Sequence, residues 1–187
     1  MKLGKQLKQK AANYFFNREM QKHPRQTKTM RFNDAKTIGI VYDATIERNY
    51  EIVKAYVKQL RDEFKKDVLA LGYYDGLELP PMRFSKLGLD FFTKKNLNWH
   101  LKPAHPMVSK FTNVGFDMLI CLNTDRCYPL KYISALTKAN FKIGKYEKNS
   151  SPVYDFMISV KDQVTLPQFI DLVNNYLKHI GNEPQKA

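Results

Sequence analysis

Two short polar clusters hold residue types that could do chemistry. Asp43 closes the stretch "GIVYD", and Asn123, Thr124, Asp125 and Arg126 end and follow the apolar run "FDMLICLN". Both clusters are expected just beyond strands, and in open α/β sheets ligands sit outside the carboxyl ends of strands. If the two strands are neighbours, Asp43 and Asp125 would approach each other as a carboxylate pair suited to Mg²⁺. Arg126, with backbone N–H groups near the following helix, would instead hold a phosphate. The competing reading is that Asp and Asn end strands because they suit turns.

The established fingerprints are absent. "GIVYDAT" lacks the G-x-G-x-x-G of a dinucleotide loop, and no G-x-x-x-x-G-K-[ST] or G-x-S-x-G occurs. "DAT" has one acid where an aspartate-nucleophile phosphatase would show two, and no phosphate loop rich in Ser, Thr and Gly follows the first strand. His23, His100, His105 and His179 are scattered; His100 and His105 stand five apart across Pro103, an awkward spacing for a metal. They read as turn or surface histidines. Cys121 reads as a buried thiol and Cys127 as a loop residue, with no disulfide framework and no Cys–His pairing. No catalytic residue, metal or cofactor is expected, and a binding role is favoured over an enzyme.

Charge is the more informative signal. Of a formal net charge of +13, residues 2–36 supply +8, with ten Lys/Arg against Glu19 and Asp34. Such asymmetry points to nucleic acid or an anionic membrane. Lys2, Lys5, Lys8, Lys10, Arg18, Lys22, Arg25, Lys28 and Arg31 are the expected phosphate contacts, displacing counterions with little sequence selectivity. A lipid surface would need a broader apolar face than Leu3, Leu7, Ala11 and Tyr14 provide, since Phe16 lies off that stripe. A solvated tail without a partner is the third outcome. Of these, RNA or an RNA-rich assembly such as the ribosome is the preferred partner. A second basic stretch, "RFSKLGLDFFTKKNLNWHLKP" (83–103), interleaves cations with aromatics. That mix either stacks unpaired bases or alternates core rings with solvated lysines. Trp99, the single Trp, is expected to anchor this excursion against the sheet.

These residues must be carried by a scaffold whose pattern is clear. The chain has 187 residues, enough for one domain with a sizeable core, and 43% hydrophobic content with 12 Phe and 11 Tyr argues for a folded protein. A helix is expected up to about Gln21, ended by Pro24. Residues 38–41 read as a buried strand. Ile46, Tyr50, Val53, Val57, Leu60 and Phe64 recur at helical spacing, with Thr45 as N-cap. "KDVLALGYYDG" is a strand closed by a turn, 77–113 an aperiodic excursion, and "FDMLICLN" a central strand covered on both faces. "YPLKYISALTKA" reads as a helix, "FKIGKYE" and "YDFMISV" as strands, and the segment from Thr165 to Ile180 as a helix with Gly181 beyond it. This order predicts a three-layer α/β domain with a mostly parallel sheet, Rossmann-like or flavodoxin-like in plan, over residues 36–182. Residues 1–35 form a basic arm and linker held apart from it, and 183–187 a short tail. No secretory signal and no 18-residue apolar run occur, so the reduced cytoplasm is the expected setting.

The stretches "KTIGIVYDA", "LGYYDG", "NLNWHLKP", "FDMLICLN" and "ALTKANFKIGKY" resemble an uncharacterised bacterial family of small α/β proteins, one of the domain-of-unknown-function groups. The resemblance spans about Lys36 to Ile180. It implies the α/β fold and a cytoplasmic setting and brings no activity with it.

Overall fold

The computed structural model describes residues 2–22, 27–81, 83, 85–86, 88–147, 153–160 and 163–180, with side chains from Lys10 onward except Lys22. Helix α1 (Lys2–Lys22) precedes β1 (Thr37–Asp43), α2 (Glu47–Asp62), β2 (Asp67–Tyr74) and β3 (Leu89–Thr93). A 3₁₀ turn (Lys94–Asn96) and α3 (Pro106–Asn113) follow. Then come β4 (Phe116–Cys121), α4 (Tyr128–Leu136), β5 (Ala139–Lys145), β6 (Phe156–Ile158) and α5 (Leu166–His179). The excursion expected at 77–113 thus contributes an edge strand and a helix of its own.

The six strands form one sheet in the order β3-β2-β1-β4-β5-β6, and every pairing is parallel. This is the doubly wound Rossmann order rather than the flavodoxin-like one. The chain leaves β1 toward one edge and β4 toward the other, so the switch point lies between these two neighbours.

Alternation within β1 assigns its residues to two cores. Ile38, Ile40 and Tyr42 face the layer of α2 and α5, packed with Val53, Val57, Leu60, Phe169 and Val173. Val41 faces the layer of α3 and α4, with Phe111, Leu119, Leu130 and Ile133. Gly39 lies on that second side, where an added Cβ would stand 2.9 Å from Leu119 and Phe116. The Leu119 and Phe116 side chains pack directly onto the Gly39 backbone there.

Polar ties fix the layers. Asp117 Oδ2 on β4 accepts from the N–H groups of Lys36 (2.8 Å) and Thr37 (3.0 Å), setting the start of β1. Lys142 on β5 is fully buried, and its Nζ donates to the carbonyls of Ser134 (2.7 Å) and Ala135 (2.9 Å) in the last turn of α4. A cation at a helix carboxyl end also complements its dipole.

Three expectations are corrected. The leader does not stand apart: Ala12 and Phe16 of α1 are buried in a small cluster with Tyr132, Ala135 and Val153. Phe16 meets Tyr132 edge-to-face at 5.0 Å, and the Tyr132 hydroxyl donates to the Ala12 carbonyl at 3.1 Å. Burying a ring of this size stabilises docking by roughly 1.5–3 kcal/mol. The linker is laid on the body too, with Lys66 Nζ donating to the carbonyls of Phe32 and Ala35. The expected apolar stripe is also wrong at its described end, because Tyr14 is 63% exposed. Finally, Ile46, not Thr45, occupies the N-cap of α2. The Thr45 hydroxyl instead accepts from the Asp75 N–H at 3.0 Å, joining the loops after β1 and β2.

Candidate functional site

Two neighbouring hollows open at the carboxyl ends of the strands, and Arg126 lines both. The larger, about 520 Å³, lies at the switch point between Asp43 at the end of β1, Tyr73 and Asp75 around the end of β2, Lys94 after β3, and Arg126 to Pro129 at the start of α4. Its carboxylates are engaged in shaping loops. Asp43 Oδ1 accepts from the Thr45 N–H at 2.8 Å, and Asp75 Oδ1 accepts from the Tyr73 hydroxyl at 2.8 Å and pairs with Lys94 at 3.2 Å.

The smaller hollow, about 150 Å³, is lined by Asn123, Arg126, Lys131, Lys145, Glu147 and Tyr154 among others. Asn13 of α1 reaches its wall and accepts from the Tyr128 hydroxyl at 2.9 Å. Burial pulls the Lys131 ammonium below its ordinary value; Arg126 adds to this and Glu147 opposes it. Both thiols at this edge are pushed up, chiefly by burial. Since the thiolate is the nucleophile, neither Cys121 nor Cys127 is activated.

The structure therefore brings Asp43 and Arg126 to one hollow and Asn123 and Arg126 to the other. Asp125 is exposed and lines neither, while its carbonyl accepts from the Asn123 amide. Of the two carboxylates, Asp43 alone lines either of these two hollows. Among the described residues, no group of three or more His, Cys, Asp or Glu could hold a metal ion.

A different surface forms where α1 docks. Phe15 stacks on His100 (centroids 4.5 Å, planes 26° apart) and meets Trp99 edge-on at 5.4 Å, and Tyr14 meets Phe15 edge-on at 5.4 Å. Trp99 is 62% exposed. It does not anchor the excursion against the sheet, because Phe15 and His100 take the inner positions. The loop is shaped by Asn98, whose Oδ1 accepts from the N–H groups of His100 (3.2 Å) and Lys102 (2.9 Å). Lys102 Nζ then reaches Glu19 of α1 at 2.7 Å.

Lys10, Tyr14 and Arg18 recur every fourth residue of α1 and are all exposed, so they share one outward line. Lys10, Arg18 and Lys28 meet no carboxylate among the described residues, whereas Arg31 pairs with Asp34 at 2.6 Å. The side chains of Lys2, Lys5, Lys8 and Lys22, and all of Arg25, lie outside the described residues. Sequence reasoning missed Tyr14, Phe15 and His100 as parts of one patch. The available signal was the spacing of Ala12, Phe16 and Met20, which turns the neighbouring rings toward residues 97–102.

These features define an all-parallel, doubly wound α/β protein with a cationic helix docked across one face. Residues 8–180 match the family of unknown function DUF6913, and the chain belongs to that family. No curated protein and no solved structure is significantly similar to it. The family match begins within α1, so most of the helix belongs to the shared unit. No helix among the described residues is long and apolar enough to cross a membrane.

Proposed function

We propose that the protein binds RNA through the outer face of α1 and the 97–102 loop, as a non-catalytic component of an RNA-rich assembly such as the ribosome. One observation carries this reading: exposed Tyr14 sits between exposed Lys10 and Arg18, and Tyr14 and exposed Trp99 each meet the Phe15 ring. Flat rings stack on unpaired bases of any identity, and flanking cations neutralise the phosphates between them. Lys10, Arg18 and Lys28 supply that charge, and Lys102 stays tied to Glu19 as a structural pair. An anionic bilayer is a weaker match, because Ala12 and Phe16, the residues an interfacial helix would bury in lipid, are buried in the body.

Filter binding to a mixed-sequence RNA over a salt series tests the proposal. Affinity falls as salt rises, and reversing Lys10 and Arg18 to Glu flattens the dependence. An affinity indifferent to salt, or equal for the wild type and the double reversal, contradicts it.

A further inference from the structure

We propose that the smaller hollow, beneath α1 at the carboxyl ends of β4 and β5, binds the phosphate group of a phosphate monoester. This rests on the hollow's own chemistry and not on the RNA reading. At about 150 Å³ it lies below the roughly 300–1,000 Å³ of sites that enclose a whole drug-sized ligand. It has room for a compact charged group, with the rest of the ligand leaving past Arg126 toward the larger cleft, which Arg126 also lines.

Its charges and donors select the sign of that group. Arg126, Lys131 and Lys145 line it against a single acid, Glu147. Arg126 is exposed at the edge common to both hollows and holds no protein partner among the described residues. A guanidinium presents a planar fork of donors that matches phosphate oxygens. Lys145 Nζ is fixed by one bond to the Thr124 carbonyl at 2.6 Å, which leaves an ammonium two further donors. Asn13 Oδ1 is occupied by the Tyr128 hydroxyl, so its amide N–H groups are the part left to donate. Lys131 extends over the Phe16 ring, 5.1 Å from its centroid, which ties the cationic wall to the docking of α1. Burial disfavours the Lys131 charge, and an anion in the hollow would favour it.

The monoester has two chemical sources, a free nucleotide-type metabolite and the 5′-terminal phosphate of an RNA. Calorimetric titration of the full chain with inorganic phosphate and with a nucleoside 5′-monophosphate reads the first, using the unphosphorylated nucleoside as the negative arm. Competition between 5′-phosphorylated and 5′-hydroxyl RNA of one sequence reads the second. Two variants bracket the site. Arg126→Ala removes an exposed side chain, and Asn13→Asp keeps the acceptor for Tyr128 while placing a carboxylate on the wall. Unchanged melting temperatures certify both folds.

The proposal expects saturable binding of the monophosphate or a preference for the 5′-phosphorylated RNA, weakened tenfold or more in each variant. The absence of both, or binding equal in wild type and variants, overturns it. Because the monophosphate arm contains no polynucleotide, it reads the hollow even where RNA binding itself fails.

Discussion

Phe15 of α1 lies flat against the imidazole of His100, with centroids 4.5 Å and planes 26° apart. This contact turns a basic leader into part of a shaped surface. It holds Trp99 outward on one flank and Tyr14 on the other, and the Glu19–Lys102 pair closes the same junction.

The His100 contact carries a pH dependence. Asn98 Oδ1 accepts backbone N–H groups, so its Nδ2 donates to His100 Nε2 at 3.0 Å and that nitrogen must be unprotonated. Burial lowers the His100 pKa below its ordinary value of 6.5; Lys102 adds to this and Glu19 opposes it. The unfolded chain therefore takes up the proton first as pH falls. Stability is complete above about pH 6.5 and declines as acidification proceeds toward the lower folded value. Denaturant midpoints at pH 7.5 and 5.5 check this, and His100→Gln removes the part of the decline that belongs to this group.

Docking of α1 depends on Phe16. Phe16→Ala removes the edge-to-face partner of Tyr132 and opens a cavity, costing about 3–5 kcal/mol if the helix stays seated. The observable outcome is faster proteolytic cleavage within residues 2–22, with a shift in Trp99 emission as Phe15 leaves. Cleavage at the wild-type rate would mean that the helix is held by something other than this ring.

Lys142 is expected to be structural. Lys142→Met retains most of its volume but leaves the Ser134 and Ala135 carbonyls without their ammonium donor, at about 1–3 kcal/mol. Chemical denaturation measures the loss, and RNA affinity stays unchanged because the residue is fully buried.

Asp117 contributes in the opposite pH direction to its own protonation. Burial opposes its charge, yet the N–H groups of Thr37 and Lys36, helped by side-chain bonds from Thr37 and Asn140, outweigh it and hold the carboxyl below its ordinary value. Its stabilisation is present above that ordinary value and is lost as pH falls through the lower folded one. Asp117→Ala strands both backbone donors and costs about 1–3 kcal/mol at neutral pH. The gap from wild type narrows in acid.

The sheet was legible because its strands are near-continuous apolar runs and its helices have one wet face. "FDMLICLN" and the Tyr50–Val53–Val57–Leu60 spacing each admit one reading. Strand order was not legible, since the parallel pairing of β3 with β2 depends on an aperiodic segment. The Trp99 surface was hidden for a different reason. A lone Trp among aromatics is normally an anchor, and nothing local to residues 97–102 reveals that a helix more than eighty positions earlier supplies Phe15. The smaller hollow combines Asn13 with Arg126 and Lys145, and only docking brings these together. Of the site residues read from sequence, Arg126 and Asn123 line that hollow, Asp43 lines the larger one while accepting from the Thr45 N–H, and Asp125 lines neither.

Trp99→Ala isolates the stacking surface from charge. An exposed ring contributes little to folding, so the melting temperature stays close to wild type. Affinity for unpaired RNA falls by the equivalent of about 1–3 kcal/mol, roughly 5- to 150-fold. Equal affinities for the two proteins would remove the ring from the interface.

The most direct measurement uses the fluorescence of Trp99, the single tryptophan, during titration with an unstructured RNA at low and high salt. RNA is expected to quench Trp99 saturably, with a midpoint that moves to higher RNA concentration as salt rises, and the quenching is lost on reversing Lys10 and Arg18 to Glu. Emission that stays constant while RNA binds by an independent readout, or quenching that persists unchanged in the charge-reversed protein, would contradict it.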